Sequence, residues 1–317
     1  MSVDEFPITR QDILLRRELI AQGYNDRAVW RMVKAGILVR VRYGAYVDAD
    51  LVRGLDDVAM SRVRARAVLK TAHPTSVLSH HSALAEYDVP LWGVDLTETH
   101  LARTDDSGGG RREAGVAHHS SLLPETQTRV QDDVPVVSPA RAGIEVMAAN
   151  TVEVGLVLVN GLLHKGLSTV GELTTLAKET DHWPDSLTTR IVLSLADVRM
   201  SSVAESRVHH LCHAQRLPKA EPQVEVRNEF GDLLGIVDFL WRNHGVFLEF
   251  DGRIKYDKFR RHEETLDQYL RREKLREERI CAATGWVCIR ISWADLEHPA
   301  ATARRIHSLL VSRKSAS

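Results

Sequence analysis

Two carboxylates near the C-terminal end of the chain stand in short apolar segments. Asp238 lies in the segment 235–239, and Glu249 lies in the segment 246–251, which also contains Asp251. A carboxylate in a largely apolar strand is costly unless a cation meets it. The sequence therefore predicts a cation beside these acids, which is either a metal ion or a neighbouring Lys or Arg side chain.

The elements that carry these carboxylates are predicted to be a β-hairpin preceded by a helix. Both segments are rich in β-branched and aromatic residues, and the polar stretch 242–245 separates them as a turn would. Alternation along the second strand places Glu249 and Asp251 on the same face. Upstream, Glu205 provides a further acidic group in a predicted helix over 203–215.

This order of acidic groups, from a helix to two strands, resembles that of the PD-(D/E)xK nucleases. The stretch Glu249-Phe250-Asp251-Gly252 is similar to the C-terminal domain of a family related to very-short-patch repair endonucleases. The resemblance implies a restriction-endonuclease-like α/β domain, in which oxygen ligands hold Mg²⁺ and a metal-bound water attacks phosphorus. The residues that it assigns to catalysis are Glu205, Asp238, Glu249, Asp251 and Lys255, with Asp238, Glu249 and Asp251 as metal ligands.

The chain departs from the nuclease pattern two residues after Glu249. The motif has a lysine there, whereas this chain has Asp251. A Glu-x-Asp-Gly sequence is usual in the related family, so the departure does not by itself imply an inactive site. Lys255 and Lys274 are the alternatives for the missing cation. The other alternative is that basic side chains pair with the acids and leave an inactive nuclease scaffold.

Residues Thr9 to Val47 are predicted to form a helix, a turn, a second helix and a small hairpin. The first helix includes Leu14, and Gly23 is expected to end it because glycine best tolerates a left-handed cap. Asn25 or Asp26 can cap the second helix. Two short alternating strands follow. This is the layout of a winged helix-turn-helix.

Basic residues recur along this unit at a spacing that suits DNA. Arg27, Arg31 and Lys34 lie three to four residues apart on the second helix, and Arg40 and Arg42 project from the predicted wing. Such a surface can place a helix in the major groove and lay a wing along the phosphates. We interpret it as a surface for double-stranded DNA. The alternative is a solvated basic face on a small helical domain.

Four motifs of the same stretch carry a resemblance to a known family. They are Arg10-Gln11-Asp12, Gly23-Tyr24, Ala35-Gly36-Ile37-Leu38 and Arg40-Val41-Arg42-Tyr43-Gly44-Ala45-Tyr46. Together they resemble the N-terminal domain of AbiEi-type antitoxins, the DNA-binding members of bacterial toxin–antitoxin operons. The resemblance implies a transcriptional regulator that represses its own operon and has a nucleotidyltransferase-type toxin as its partner.

The middle of the chain, residues 56–197, is predicted to be a mixed, mainly helical domain. Alternating Arg and apolar residues between Asp56 and Lys70 predict an exposed amphipathic helix. Arg141 and Glu145 form an i,i+4 pair that we interpret as structural. These features assign no chemistry to the middle segment.

Three histidine pairs, at 80–81, 118–119 and 209–210, suggest metal binding. Adjacent residues on one helix point about 100° apart, however, and do not readily share one ion. We therefore expect the first two pairs to be surface or hydrogen-bonded histidines.

Composition restricts the class of protein without identifying its partner. The chain has 317 residues, 42 basic against 43 acidic side chains, and 44% apolar residues, which predicts a soluble protein with two or three domains. Three cysteines, none in a C-x-x-C pair, are expected to be reduced and buried. The N-terminus has no signal-peptide pattern, and the apolar run 154–163 is shorter than the roughly 20 residues of a membrane span. We expect a cytoplasmic protein with no membrane partner.

The predicted fold class is multidomain α+β, with a winged helix-turn-helix at 1–55, the mixed middle domain at 56–197 and the nuclease-like domain at 198–313. The first functional hypothesis is a sequence-specific DNA-binding regulator that acts as an antitoxin. The alternative is a Mg²⁺-dependent DNA endonuclease that its winged helix delivers to the substrate. A third is a DNA-binding scaffold whose degenerate nuclease domain forms a homodimer.

Overall fold

The computed structural model of the chain describes residues 6–105, 110–120, 123–251 and 265–314. These residues form a mixed α+β fold with three sheets, as the sequence predicts. The chain divides into two compact units, Met1–Leu193 and Ser194–Ser317. This division lies four residues from the boundary at 197 that the sequence suggests.

The first unit begins with a small sheet and two helices. Their bounds are β1 (Leu14–Leu15), α1 (Arg16–Ala21), α2 (Asp26–Lys34), β2 (Leu38–Arg42) and β3 (Ala45–Asp48), with sheet order β1-β3-β2. Asn25 caps α2, because its side chain accepts a hydrogen bond from the backbone N–H of Ala28. Gly23 follows α1 with a φ of +95°, a conformation that favours glycine. The elements stand in the order of a winged helix-turn-helix, but the prediction that Leu14 is helical is wrong, since it pairs with Tyr46 in the sheet.

A six-stranded mixed sheet with helices forms the rest of this unit. The strands are β4 (Ser76–Leu78), β5 (Thr99–Arg103), β6 (Arg111–Glu113), β7 (Val116–His119), β8 (Thr128–Gln131) and β9 (Val134–Val137), in the order β6-β7-β5-β4-β9-β8. The helices are α3 (Ala49–Val52), α4 (Asp57–Leu69), α5 (His80–Glu86), α6 (Pro139–Ala149), α7 (Val152–His164), α8 (Val170–Glu179) and α9 (Ser186–Leu195). The sequence predicts a mixed, mainly helical segment here, and the helices agree with that prediction. The six-stranded sheet is larger than the sequence indicated.

Helix α4 is buried, so the prediction that it is exposed is wrong. Val63 and Ala67 pack in one apolar cluster with residues of the winged helix. Arg62 and Arg66, which suggested exposure, point inward and form ion pairs with the buried carboxylate of Glu86 at 3.2 and 2.6 Å. A buried charge is tolerated where it is paired and hydrogen-bonded, and the alternation of charge could not reveal that partner.

The second unit contains a four-stranded sheet and four α-helices in its described residues. They are α10 (Val203–Ala214), β10 (Glu221–Arg227), β11 (Leu233–Trp241), β12 (Val246–Asp251), α11 (Leu266–Thr284), β13 (Val287–Ser292), α12 (Trp293–Leu296) and α13 (Pro299–Lys314). Strand order is β10-β11-β12-β13, with β12 and β13 parallel and the other pairs antiparallel. Alternate residues of β12 enter different apolar clusters: Leu248 packs in one and Phe247 in the other. The predicted helix over 203–215 and the predicted hairpin therefore follow one another in the expected order.

The cysteines and the apolar helices were also the subject of sequence predictions. Cys212 is buried, whereas Cys281 and Cys288 are half-buried, and all three are free thiols. Burial raises the pKa of the Cys212 thiol to about 12. No helix within the described ranges is both long and apolar enough to cross a membrane.

Candidate functional site

Asp238 lies where the regular pairing of β11 with β12 begins. The strand register starts at Phe239, opposite Leu248. Beside it, the backbone N–H of Phe250 donates to Oδ2 of Asp238 at 2.8 Å, and the Gln223 amide donates to Oδ1 at 3.4 Å. The buried carboxylate of Asp238 thus accepts a hydrogen bond from the neighbouring strand. It therefore has a structural role in the sheet, whether or not it takes part in catalysis.

Glu249 on β12 is met by an arginine. The guanidinium of Arg276 on α11 lies 3.0 Å from the Glu249 carboxylate and 3.0 Å from that of Glu273, and it also donates to the carbonyl of Ile236. Burial alone would lower the pKa of Arg276, but the two carboxylates raise it above its usual value. The cation beside Glu249 is therefore a side chain of the same unit, which is one of the two alternatives that the sequence left open.

A pocket of about 360 Å³ opens beside this ion pair. Glu249, Asp251 and Lys274 are among the residues that line it. Asp251 is exposed at the end of β12. Of the two alternative lysines, Lys274 is thus placed at the same pocket as the acids, while Lys255 lies outside the described residues.

Glu205 is buried at the start of α10, where it accepts hydrogen bonds from the backbone N–H and the hydroxyl of Ser201. In the part of the chain that the structure describes, Glu205, Asp238, Glu249 and Asp251 do not form a three-ligand metal group. Of the predicted acids, Glu249 and Asp251 therefore line one pocket, and Asp238 lies on the strand that pairs with theirs.

A different set of side chains converges in the first unit. His80 at the start of α5, His100 on β5 and His119 on β7 place one ligand nitrogen each within 4.8 Å of one another. Strands β5 and β7 are parallel with Ala102 opposite His119, and His100 lies two residues from Ala102. Both histidines therefore stand on one face of the sheet. The ring of His80 stacks on that of His119 with centroids 3.8 Å apart.

Hydrogen bonds fix the orientation of these rings. Nδ1 of His100 lies 2.8 Å from Nε2 of His119, and Nε2 of His100 lies 3.2 Å from the Glu98 carboxylate. Nδ1 of His80 lies 3.1 Å from the Ser79 hydroxyl. These partners indicate that His100 donates from Nε2 to Glu98 and accepts at Nδ1 from His119.

The three imidazoles are neutral at physiological pH. Burial, and then the neighbouring histidines, lower the pKa of His80 well below its usual value and that of His100 to about 2. Burial and Arg112 lower the pKa of His119 to about 4. A cluster of neutral rings avoids the repulsion that would separate three imidazolium ions.

The histidine set was not predicted from the sequence. The first two pairs are hydrogen-bonded as expected, but His80 and His81 are buried rather than at the surface. The first pair contributes His80 and the second contributes His119, and the third member of the set, His100, has no histidine beside it in the sequence. The signal that would have found the set is the parallel pairing of β5 with β7, which requires knowledge of the sheet topology.

The predicted DNA-binding residues lie mainly at the surface of the winged helix. Arg27, Arg31, Lys34 and Arg40 are exposed, whereas Arg42 is half-buried and the strand register shifts between Arg40 and Arg42. Arg42 is also among the residues that line a pocket of about 480 Å³, together with Arg103, Arg111 and His119. Four of the five predicted residues are therefore exposed, and the fifth, Arg42, lines a cavity that also contains Arg103 and Arg111.

Comparison with known proteins gives little further information. No protein-family model and no curated protein matches the chain. Among solved structures it is similar to the RV2827C protein from Mycobacterium tuberculosis, with a TM-score of 0.39 and 12% sequence identity over 68% of this chain and 80% of that one.

Proposed function

We propose that this chain is a cytoplasmic DNA-binding regulator whose winged helix contacts double-stranded DNA. The observation that carries the proposal is the exposed row of Arg27, Arg31 and Lys34 on α2, opposite the buried Val29. A row of cations at this spacing on the second helix of such a motif suits the phosphates and base edges of a major groove.

The local charge balance of α2 supports the same proposal. Its one acidic residue, Asp26, is paired with Arg16 through two hydrogen bonds of 2.7 and 2.6 Å. Its exposed aromatic residue, Trp30, lies under the ammonium of Lys34 at 5.1 Å from the ring centroid. The approach of a polyanion therefore meets cations that are not offset by an unpaired carboxylate on that helix.

The resemblance to AbiEi-type antitoxins supports a more specific role. In this role the chain binds the operator of its own operon, represses transcription, and counteracts a nucleotidyltransferase-type toxin. A reporter gene fused to the DNA upstream of the chain's own gene tests repression, and co-expression with a neighbouring nucleotidyltransferase tests neutralisation. The Arg27→Ala/Arg31→Ala variant is expected to lose repression.

The binding test compares the wild-type chain with Arg27→Ala/Arg31→Ala on a labelled duplex of that upstream DNA. Each lost phosphate contact lowers the slope of log affinity against log salt by about 0.9, so the double variant should lose about 2 from the slope. Fluorescence anisotropy at several salt concentrations measures both the affinity and the slope.

Arg190→Ala is the matched control, because Arg190 is an exposed arginine of the same unit on α9, paired with Asp181. It should bind DNA as the wild type does. Equal affinities of the wild type and the α2 double variant would remove the winged helix from the proposal.

A second candidate function is metal-dependent endonuclease activity. The observation that favours it is the pair Asp238 and Glu249 on neighbouring strands, with Asp251 and Lys274 at the adjoining pocket. Titration of Mg²⁺ or Mn²⁺ with wild type, Asp238→Asn and Glu249→Gln on duplex DNA tests it, with retention and cleavage scored together. Cleavage that both variants lose would establish an enzyme; binding without cleavage in all three proteins would leave a regulator.

A further inference from the structure

We propose that His80, His100 and His119 bind a divalent transition-metal ion of the zinc class. Their ligand nitrogens lie within 4.8 Å of one another on three elements that are separate in sequence and adjacent in the fold. This site is independent of the acidic residues of the second unit and of the basic surface of α2.

The ligand set determines the class of metal. Three imidazole nitrogens suit Zn²⁺, Co²⁺, Ni²⁺ or Cu²⁺, whereas Mg²⁺ and Ca²⁺ prefer oxygen ligands. The group contains no cysteine, which argues against the thiolate-rich sites that are typical of structural zinc. A three-histidine set also leaves a tetrahedral ion one position for water or another exchangeable ligand.

Carboxylates stand behind two of the three rings. Glu98 lies beside Nε2 of His100 at 3.2 Å, and Glu145 lies beside Nδ1 of His80 at 3.4 Å. Metal-binding histidines commonly donate their second N–H to a carboxylate, which fixes the tautomer and orients the ring. These contacts assign Nδ1 of His100 and Nε2 of His80 to the metal. Nε2 of His119, which faces His100, is the third ligand atom.

The backbone at His80 is held in an unusual conformation. Its φ is +53°, in the left-handed region that non-glycine residues rarely adopt. The backbone N–H of His80 donates to the Glu145 carboxylate at 2.9 Å, and Arg141 pairs with the same carboxylate at 2.8 Å. Strain of this kind persists where surrounding contacts determine it, and it is concentrated at functional sites.

The rings need a small adjustment to hold an ion. Metal–nitrogen bonds of about 2.0–2.1 Å in a tetrahedral site separate two ligand atoms by roughly 3.3 Å. The 2.8 Å contact between His100 and His119 must therefore open slightly, and wider contacts must close by about 1.5 Å or less. Rotation of the imidazoles provides such movements, and the proton on Nε2 of His119 moves through solvent to Nδ1 of the same ring, so that Nε2 can bind the ion.

A path to the surface exists at His119. This residue is among those that line the cavity of about 480 Å³, which also contains Arg103 and Arg111. The arginines of that cavity oppose the approach of a free cation, but they favour an anion or hydroxide as the exchangeable ligand of an ion that is bound.

Binding is tested on the full chain, free of any affinity tag and stripped with a chelator. Zinc chloride is titrated against a competing chromophoric chelator, and cobalt chloride is used in parallel for its visible absorption. The expected result is one ion per chain with the intense absorption of tetrahedral cobalt. His100→Gln and His119→Gln should each weaken zinc binding about 100-fold or more, since loss of outer-shell partners alone costs 10–100-fold.

His118→Gln is the matched control, because His118 neighbours His119 on β7 but pairs with Glu113 at 3.4 Å. It should bind zinc as the wild type does. Circular dichroism of the metal-free variants establishes that they fold, and if His100→Gln does not, the comparison of His119→Gln with His118→Gln decides.

Three results would overturn the proposal. They are the absence of retained zinc, equal losses in His118→Gln and His119→Gln, and a thiolate charge-transfer band in the cobalt complex. None of them depends on DNA binding, so failure here leaves the regulator proposal untouched.

Discussion

The histidine set of the first unit and the carboxylates of the second differ in charge, and that difference determines how each is held. In the first unit, three neutral imidazoles approach one another within 4.8 Å, with burial keeping their pKa values low. In the second unit, the carboxylate of Glu249 has an arginine 3.0 Å away. Neutral ligands can gather before an ion arrives, whereas buried anions need a cation as part of the fold.

The same rule holds elsewhere in the first unit. Glu86 is buried with Arg62 and Arg66, and Glu145 is buried with Arg141. The comparison therefore teaches that the acidic site predicted from sequence already contains its own cation, whereas the histidine set brings three uncharged ligand atoms together without one. Four predictions test this contrast, in order of decreasing effect on stability.

The largest effect is expected from removing the arginine of the second unit. Arg276→Met removes the guanidinium that lies 3.0 Å from the buried carboxylate of Glu249, and the loss of one partner of a buried ion pair costs about 3–5 kcal/mol. Hydrogen exchange of the β11 and β12 peptides measures the loss as a lower free energy of opening. Glu249→Gln in the same background should restore most of it, because the amide carries no charge.

Arg279→Met is the control for this change, since Arg279 is an exposed arginine on the same helix. A change below about 1 kcal/mol is expected, as for other surface substitutions. If Arg276→Met were equally mild, the second unit would not depend on an internal cation and the contrast between the units would fail.

The next prediction concerns zinc in the first unit. An ion that binds only the folded state at 100 times its dissociation constant stabilises that state by about 2.7 kcal/mol. Exchange of the β5 and β7 peptides should slow accordingly and recover when a chelator removes the ion. The β11 and β12 peptides should not respond. Protection of both units would mean that zinc also binds the carboxylates.

A smaller effect separates two replacements of Asp238. Asp238→Ala removes the acceptor of the Phe250 N–H, and an unsatisfied buried donor costs about 1–3 kcal/mol. Asp238→Asn retains an oxygen that can accept the same hydrogen bond, so its cost should be lower. Urea unfolding followed by the fluorescence of the tryptophans compares the two variants. Equal stabilities would show that the carboxylate has no structural role and would assign its burial to chemistry alone.

Local patterns predicted much of the fold. The cap at Asn25, the glycine after α1, the helix that carries Glu205 and the hairpin that carries Asp238 and Glu249 are properties of short stretches. The orientation of α4 could not be predicted, because Arg66 is buried by pairing with Glu86, twenty residues later, and by donating to the carbonyl of Ile8.

The candidate sites show the same limit. The alternation along β12 located Glu249 but could not reveal Arg276, which lies on a helix that begins after the 13 residues 252–264 outside the described ranges. The histidine set depends on a parallel pairing of β5 with β7, and residue spacing contains no information on which strands pair.

The smallest effect on stability is expected at the surface of α2, where the charged side chains are exposed and do not pack in the core of either unit. Arg27 and Arg31 are exposed and, within the described residues, take part in no ion pair. Arg27→Ala should therefore change the free energy of unfolding by no more than about 0.5 kcal/mol, measured by urea unfolding, while it weakens DNA binding. This combination would distinguish cations that hold the protein together, such as Arg276, from cations that face a partner. A large loss of stability in Arg27→Ala would instead assign this arginine to the fold, and a change in DNA affinity could then no longer be attributed to a lost contact.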